Sequence, residues 1–130
     1  MTDPTDAPSP AALPLAPPPA PSSPTAEERN LAVVAHALSF IEGGVIGPLI
    51  VYLIKKDDSP FVAFHALQSL YFGLLALVVI VPVAIITCGL GAVLLIPYFV
   101  WEVIACVEAH KGEWYELPIV GAVALRSHHP

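Results

Sequence analysis

Six side chains stand where they could do chemistry: Glu102, Glu42, His65, Gln68, Glu108 and His36. Glu102 lies nine residues before Lys111, roughly 13 Å along a helix at 1.5 Å per residue. If the first apolar element is one continuous span, Glu42 lies roughly 20 Å from Lys55, at a similar level. Two carboxylates at one depth in a membrane could share a proton or hold a cation, each raising the other's proton affinity. The simpler reading, which is favoured, puts Glu42 at a helix break and leaves Glu102 facing the bundle as helix–helix glue. His65 and Gln68 are spaced i, i+3 and so share a helix face. His65 falls near the level of Glu108, and a structural His65–Glu108 hydrogen bond is expected. His36 joins this structural set from a polar stripe on the first helix. No nucleophile paired with a base, phosphate loop or metal triad is present. The chain is therefore expected to have no catalytic residues, metal, cofactor or small-molecule substrate, and not to be an enzyme.

The element that positions these groups is the run from Ser59 to Trp101, 43 residues without Asp, Glu, Lys or Arg. A bilayer core takes about 20 apolar residues per helix, so the run fits two spans. Its one obvious break is Thr87-Cys88-Gly89-Leu90-Gly91. In lipid the backbone must close its own hydrogen bonds, which makes both spans helical and the whole a hairpin. Composition agrees: 56% hydrophobic and 12% charged, against about a quarter charged in soluble domains. A net charge of −6 excludes nucleic acid as a partner, since phosphate binding needs a basic face.

Along the chain, residues 1–25 form a Pro/Ala-rich tail that cannot build a core and is expected to be disordered. Thr25 and Glu28 form a capping box that starts a helix. Leu31, Val34, Leu38 and Ile41 recur on one face, and Glu28, Ala32, His36, Ser39 and Gly43 make a smaller, more polar stripe. Gly43, Gly44, Gly47 and Pro48 then interrupt it. Two architectures fit: one kinked span from Leu31 to Ile54, or two half-length helices of which the first lies along the interface or re-enters. Val45 to Ile54 reaches only about 15 Å, too short to cross alone, and the broken element is favoured.

Ser59 and Pro60 cap and start the second helix. Its Leu, Ile, Val and Phe residues supply roughly −4 to −8 kcal/mol of insertion preference. The third helix, Leu90 to Ala109, inserts marginally, because a charged Glu102 costs about 3 kcal/mol. Cys88 and Cys106 on that helix would be roughly 27 Å apart, too far for a disulfide. Trp114 and Tyr115 suit an aromatic belt, and the short apolar stretch Pro118 to Leu125 lies on the membrane or packs on the bundle. Residues 123–130 form a C-terminal tail, whose His128-His129 pair is read as a loose end rather than a metal site. Lys55, Lys56, Lys111 and Arg126 fall on one side of the hairpin, which the positive-inside rule puts in the cytoplasm.

Ala35-His36, Gly47-Pro48-Leu49-Ile50, Lys55-Lys56-Asp57, Ser59-Pro60-Phe61-Val62, His65-Ala66-x-Gln68-x-Leu70 and Ala109-x-Lys111-Gly112-Glu113-x-Tyr115-x-x-Pro118 occur in an order that resembles the Tic-twenty-like family of small membrane proteins. The resemblance covers about residues 26–122. It departs from that family at about Tyr71 or Phe72, where many relatives carry an Asn. It implies a multi-pass protein of the bacterial cytoplasmic (inner) membrane that assembles with itself or other membrane proteins, distantly related to a translocon subunit. The expected fold is all-α: an integral membrane helical bundle of a broken first helix plus a two-helix transmembrane hairpin. The alternative function is a small oligomeric ion or proton channel or transporter using Glu102.

Overall fold

The computed structural model describes residues 22–127; most of the proline-rich tail and the His128-His129 pair lie outside them. The elements are α1 (Ala26–Glu42), α2 (Ile46–Lys55), α3 (Pro60–Ile86), a 3-10 turn (Leu90–Leu94), α4 (Leu95–Lys111) and α5 (Gly121–Ser127). Two of the helical stretches, Pro60–Ile86 and Leu90–Lys111, are long and apolar enough to cross a membrane. Both keep most of their surface outside the protein core, unlike the central helix of a soluble domain. The chain is an all-helical membrane bundle built on a hairpin.

The first element is broken, and it re-enters. Gly43 and Gly44 both take positive φ, 85° and 88°, which ends α1 and reverses the chain into α2. At the base, Ser59 Oγ–H donates to Glu28 Oε1 at 2.6 Å, which ties the start of α1 to the start of α3. α2 returns to the same base, ending at Lys55 just before Ser59. At the apex, Gly44 rests on Gly73: a β-carbon built on Gly73 would fall 2.1 Å from the Gly44 carbonyl oxygen. Gly73 is roughly 20 Å along α3 from Pro60, about half of that helix. The kinked single span is thereby excluded.

α1 buries the opposite face from a soluble helix. Ala32, Ala35, His36 and Ser39 are inside, while Val34 and Ile41 are exposed, Ile41 by 83%. Lipid is as apolar as leucine, so small and polar residues do better between helices than against lipid.

The base of α1 is closed by a full capping box. Thr25 N–H donates to Glu28 Oε2 at 2.8 Å, and Glu28 N–H donates to Thr25 Oγ1 at 3.2 Å. The Ser59 hydroxyl first, and the Thr25 backbone N–H second, hold the Glu28 carboxyl below the usual glutamate value. A depressed folded-state value stabilises the fold above the unfolded value, and the gain is lost as pH falls through the folded one. Ser59→Ala is therefore expected to raise the Glu28 midpoint in a carbon-detected NMR titration and to narrow the acid-side loss of stability. An unchanged midpoint would remove Ser59 as the cause.

α3 is buried without interruption from Phe61 to Leu70, and at Phe72 and Gly73; beyond them it is at most partly buried, as at Leu75, Ala76 and Ile80. Val78, Ile85, Ile86, Leu90 and Val93 lie open beyond it. Pro82 is accommodated within α3, as neighbouring groups allow in lipid. The hairpin tip turns through Cys88 (φ 48°) and Gly89 (φ 97°), and Gly91 packs directly on the Val83–Ala84 backbone. Cys88 is thus in the turn, not on one helix with Cys106; both thiols are free.

After Gly112, residues 113–120 climb beside α3 without becoming a regular helix. Trp114 packs edge-on against Phe61, at 5.4 Å between ring centroids, and tilted against Phe64. Leu117 and Val120 join Phe72, Tyr98 and Ala105 in a core cluster. α5 then packs Ala124 against Phe64, Leu67 and Leu70. The short apolar stretch therefore packs on the bundle.

Candidate functional site

Non-helical backbone at membrane depth is tolerated only where protein buries it and pairs its polar groups. α3 supplies the partners for residues 113–117. Gln68 Nε2–H donates to the Tyr115 carbonyl at 3.0 Å, and Leu117 N–H donates to Gln68 Oε1 at 2.8 Å. The two ends of one amide thus act as a strand edge. His65 Nε2 meets the Glu113 carbonyl oxygen at 2.9 Å. Gln68→Leu would leave the Leu117 N–H and the Tyr115 C=O unpaired, at about 1–3 kcal/mol. Faster proteolysis within residues 113–120 should report the release of this segment, and wild-type resistance would show that the amide is dispensable.

His65 continues inward. Its Nδ1 lies 3.2 Å from His36 Nε2, and His36 Nδ1 lies 2.7 Å from Glu102 Oε2. Ser69 Oγ–H donates to Glu102 Oε1 at 3.2 Å, and Ser39 Oγ lies 2.5 Å from Ser69 Oγ. His36, His65, Gln68, Ser69 and Glu102 are all fully buried.

The direction of these bonds follows from the end of the chain. A carbonyl oxygen only accepts, so His65 Nε2 carries a hydrogen. A neutral His65 then offers a lone pair at Nδ1, and His36 Nε2–H must donate to it. The His36–Glu102 contact is left with one proton, which sits either on the carboxyl oxygen or on His36 Nδ1. Both placements are net neutral, as a cluster buried between membrane helices requires. With Ser69 donating to Glu102, Ser39 donates to Ser69.

Three helices supply this cluster: α1 gives His36 and Ser39, α3 gives His65 and Ser69, and α4 gives Glu102. Of the residues singled out from the sequence, the structure joins Glu102, His36 and His65 directly, with Gln68 one turn along the same face. It separates two others. Glu42 does not pair with Glu102; its Oε1 accepts from Gly47 N–H and caps α2 across the glycine break. The depth expected for Glu42 assumed a spanning first helix, and re-entry removes that basis. Glu108 does not meet His65; Lys111 Nζ donates to it at 2.7 Å on the surface. His65 takes a backbone carbonyl instead, because the chain after Gly112 turns up against α3.

Ser69 and Tyr98 were not singled out, and Ser39 entered only as a member of the polar stripe of α1. Ser39 follows His36 at i+3 and Ser69 follows His65 at i+4, so spacing alone places each on its histidine's face. The Tyr98 hydroxyl is buried without a hydrogen-bond partner, close to Gly44. Two apolar clefts, of about 310 and 320 Å³, flank Tyr98. Ser39 lines the second, whereas Glu102, His36 and His65 line neither. Among the described residues, no group of three or more His, Cys, Asp or Glu side chains is placed to hold a metal ion.

The model of the magnetosome magnetite crystal formation protein family matches residues 27–124. A UPF0132 membrane protein of Archaeoglobus fulgidus is 35% identical over 98 residues, 70% of this chain and 89% of its own length. A UPF0132 membrane protein of Methanocaldococcus jannaschii is 38% identical over 86 residues, 62% of this chain and 74% of its own. No solved structure gives a significant match. These matches overturn the Tic-twenty resemblance, whose motifs lie almost wholly within the matched residues. These two relatives are archaeal, so the expectation of a bacterial translocon relative loses its support.

Proposed function

The chain belongs to the magnetosome magnetite crystal formation protein family, and from that premise we propose that it is a non-enzymatic integral membrane protein serving as an assembly component. It works by holding a re-entrant hairpin against a spanning one. The observation that carries this reading is the sealed cluster at Glu102, in which each of the carboxylate and imidazole atoms bearing protons or lone pairs already has a partner within the protein. A catalytic or conducting carboxylate needs access to substrate or water, and neither flanking cleft reaches this one. Partners are then other membrane proteins or further copies, met through the apolar surface. By the positive-inside rule, Arg29, Lys55, Lys56 and Lys111 face the cytoplasm, with the start of α1 on the same side.

One observation favours the alternative of a small proton or cation channel. Ser39 lines a cleft and connects through Ser69 to Glu102. Flux through densely loaded proteoliposomes of the purified chain decides between the two. No proton or cation flux above that of protein-free vesicles is expected. Flux that disappears in Glu102→Gln would replace the assembly reading with the channel.

A further inference from the structure

The two halves of the molecule differ in girth. In the half nearer Ser59, α3 and α4 are accompanied by α1, α2, residues 113–120 and α5. In the half nearer Cys88, only α3 and the chain from Leu90 into α4 remain. The enclosure thins beyond Gly73. The re-entrant apex meets α3 at Gly73 and the climbing segment meets it at Phe72. Above them two clefts, flanked by Phe40 and Gly43 on one side and Pro118 and Ile119 on the other, reach Ile80. Below that level α3 is enclosed; above it Val78 is 69% and Ile86 80% exposed. With helices about 10–12 Å across, the wide half fills roughly twice the membrane area of the narrow half.

The bilayer contacts both halves. α2 presents Ile46, Ile50, Leu53 and Ile54 outward, and α1 presents Val34 and Ile41, so the flank they form is apolar on its outside, while Glu113 and Glu116 are exposed on the climbing segment. Charge marks which leaflet it occupies. Glu28, Arg29, Lys55, Lys56, Asp57, Glu108 and Lys111 cluster at the Ser59 end, while the tip from Thr87 to Gly91 has no charged residue.

We propose that the protein is a membrane-curvature wedge, whose re-entrant hairpin and climbing segment expand the leaflet at the charged rim and favour bilayers convex on that side. The partner is the lipid surface itself. The action does not depend on self-association, since each single chain carries the asymmetry. Inserting area into one leaflet is the same physics by which interfacial helices respond to curvature. Here the inserted area is held at half depth by the Gly44–Gly73 contact and the histidine–carboxylate cluster, so it cannot relax by sinking across the bilayer.

Cys88 at the tip reports orientation. The full chain carrying Cys106→Ala, which leaves Cys88 as the single thiol, is reconstituted into phosphatidylcholine–phosphatidylglycerol vesicles of several sizes. A membrane-impermeant maleimide then labels tips that face outward. In vesicles about 200 nm across, about half the tips should be labelled; at about 30 nm the labelled fraction should fall severalfold, because the rim prefers the convex leaflet. The number of protein molecules per lipid should rise in the smaller vesicles over the same series. A labelled fraction independent of diameter, or one that rises as vesicles shrink, overturns the proposal.

Discussion

Replacing Glu102 with alanine is expected to destabilise the protein by about 3–5 kcal/mol, the cost of leaving a buried charged or strongly polar partner uncompensated. The loss falls on His36 first, whose Nδ1 is 2.7 Å from the carboxylate, and then on Ser69. Ordinary interhelical hydrogen bonds in membranes couple by only about 0.6 kcal/mol, because a chain unfolded within lipid finds other partners. The cluster should exceed that. It shares one proton between two residues and joins three helices through fully buried side chains. A double-mutant cycle with His36→Ala, read by reversible unfolding in mixed detergent micelles, should give a coupling above about 1 kcal/mol. Additive single effects would mean that the two side chains do not act as a unit. Glu102→Gln keeps the shape and can still accept from Ser69, so it should recover part of the loss.

Gly73→Ala should cost about 3 kcal/mol or more, beyond the usual range for overpacking. The new methyl carbon would stand 2.1 Å from the Gly44 carbonyl oxygen, and what it meets is backbone. No side chain can swing aside. Relief requires the apex to lift off α3, which pulls His36 away from Glu102 on one side and α2 away from Val62 and Ala66 on the other. Gly43→Ala is the matched control. Its φ of +85° makes alanine strained, yet nothing lies within 4 Å of the added carbon, so its cost should stay near 1–2 kcal/mol. Equal losses for the two variants would show that the close approach of α1 to α3 is not tight.

The spanning hairpin was legible because its signal is local: a charge-free run of the right length with a turn inside it. Glu102 was legible for the same reason, as an ionisable residue far from any helix end. The polar stripe of α1 correctly marked the face that His36 and Ser39 share. Their partnership with Glu102 was not legible, since it depends on where the glycine break sets the height of α1, and sequence spacing measures distance along helices, not between them. Glu42 shows the cost: the break was visible, and only a continuous helix would have set Glu42 level with Glu102, so the choice between the two rested on a height the sequence does not carry. Residues 113–120 were hidden for another reason. Glu113 and Glu116 interrupt the apolar residues there, and the apolar stretch Pro118 to Leu125 overlaps residues 113–120 only in part. Neither is long enough for a period that distinguishes lying on a membrane from climbing into a bundle. The residue that decides it, Gln68, lies 49 positions away from the N–H it accepts.

That separation along the chain also has a timing. Glu102 emerges 66 residues after His36, so at 5–20 residues per second the imidazole waits roughly 3–13 s for its carboxylate. During that interval α1 can meet α3, whose His65 emerges 29 residues after His36, but the imidazole lacks its carboxylate. A half-length, capped helix can rest at the water boundary until α4 arrives, whereas a committed span would hold the histidine in hydrocarbon without its carboxylate. Re-entry therefore lets the ribosome deliver the cluster in the wrong order without stranding it.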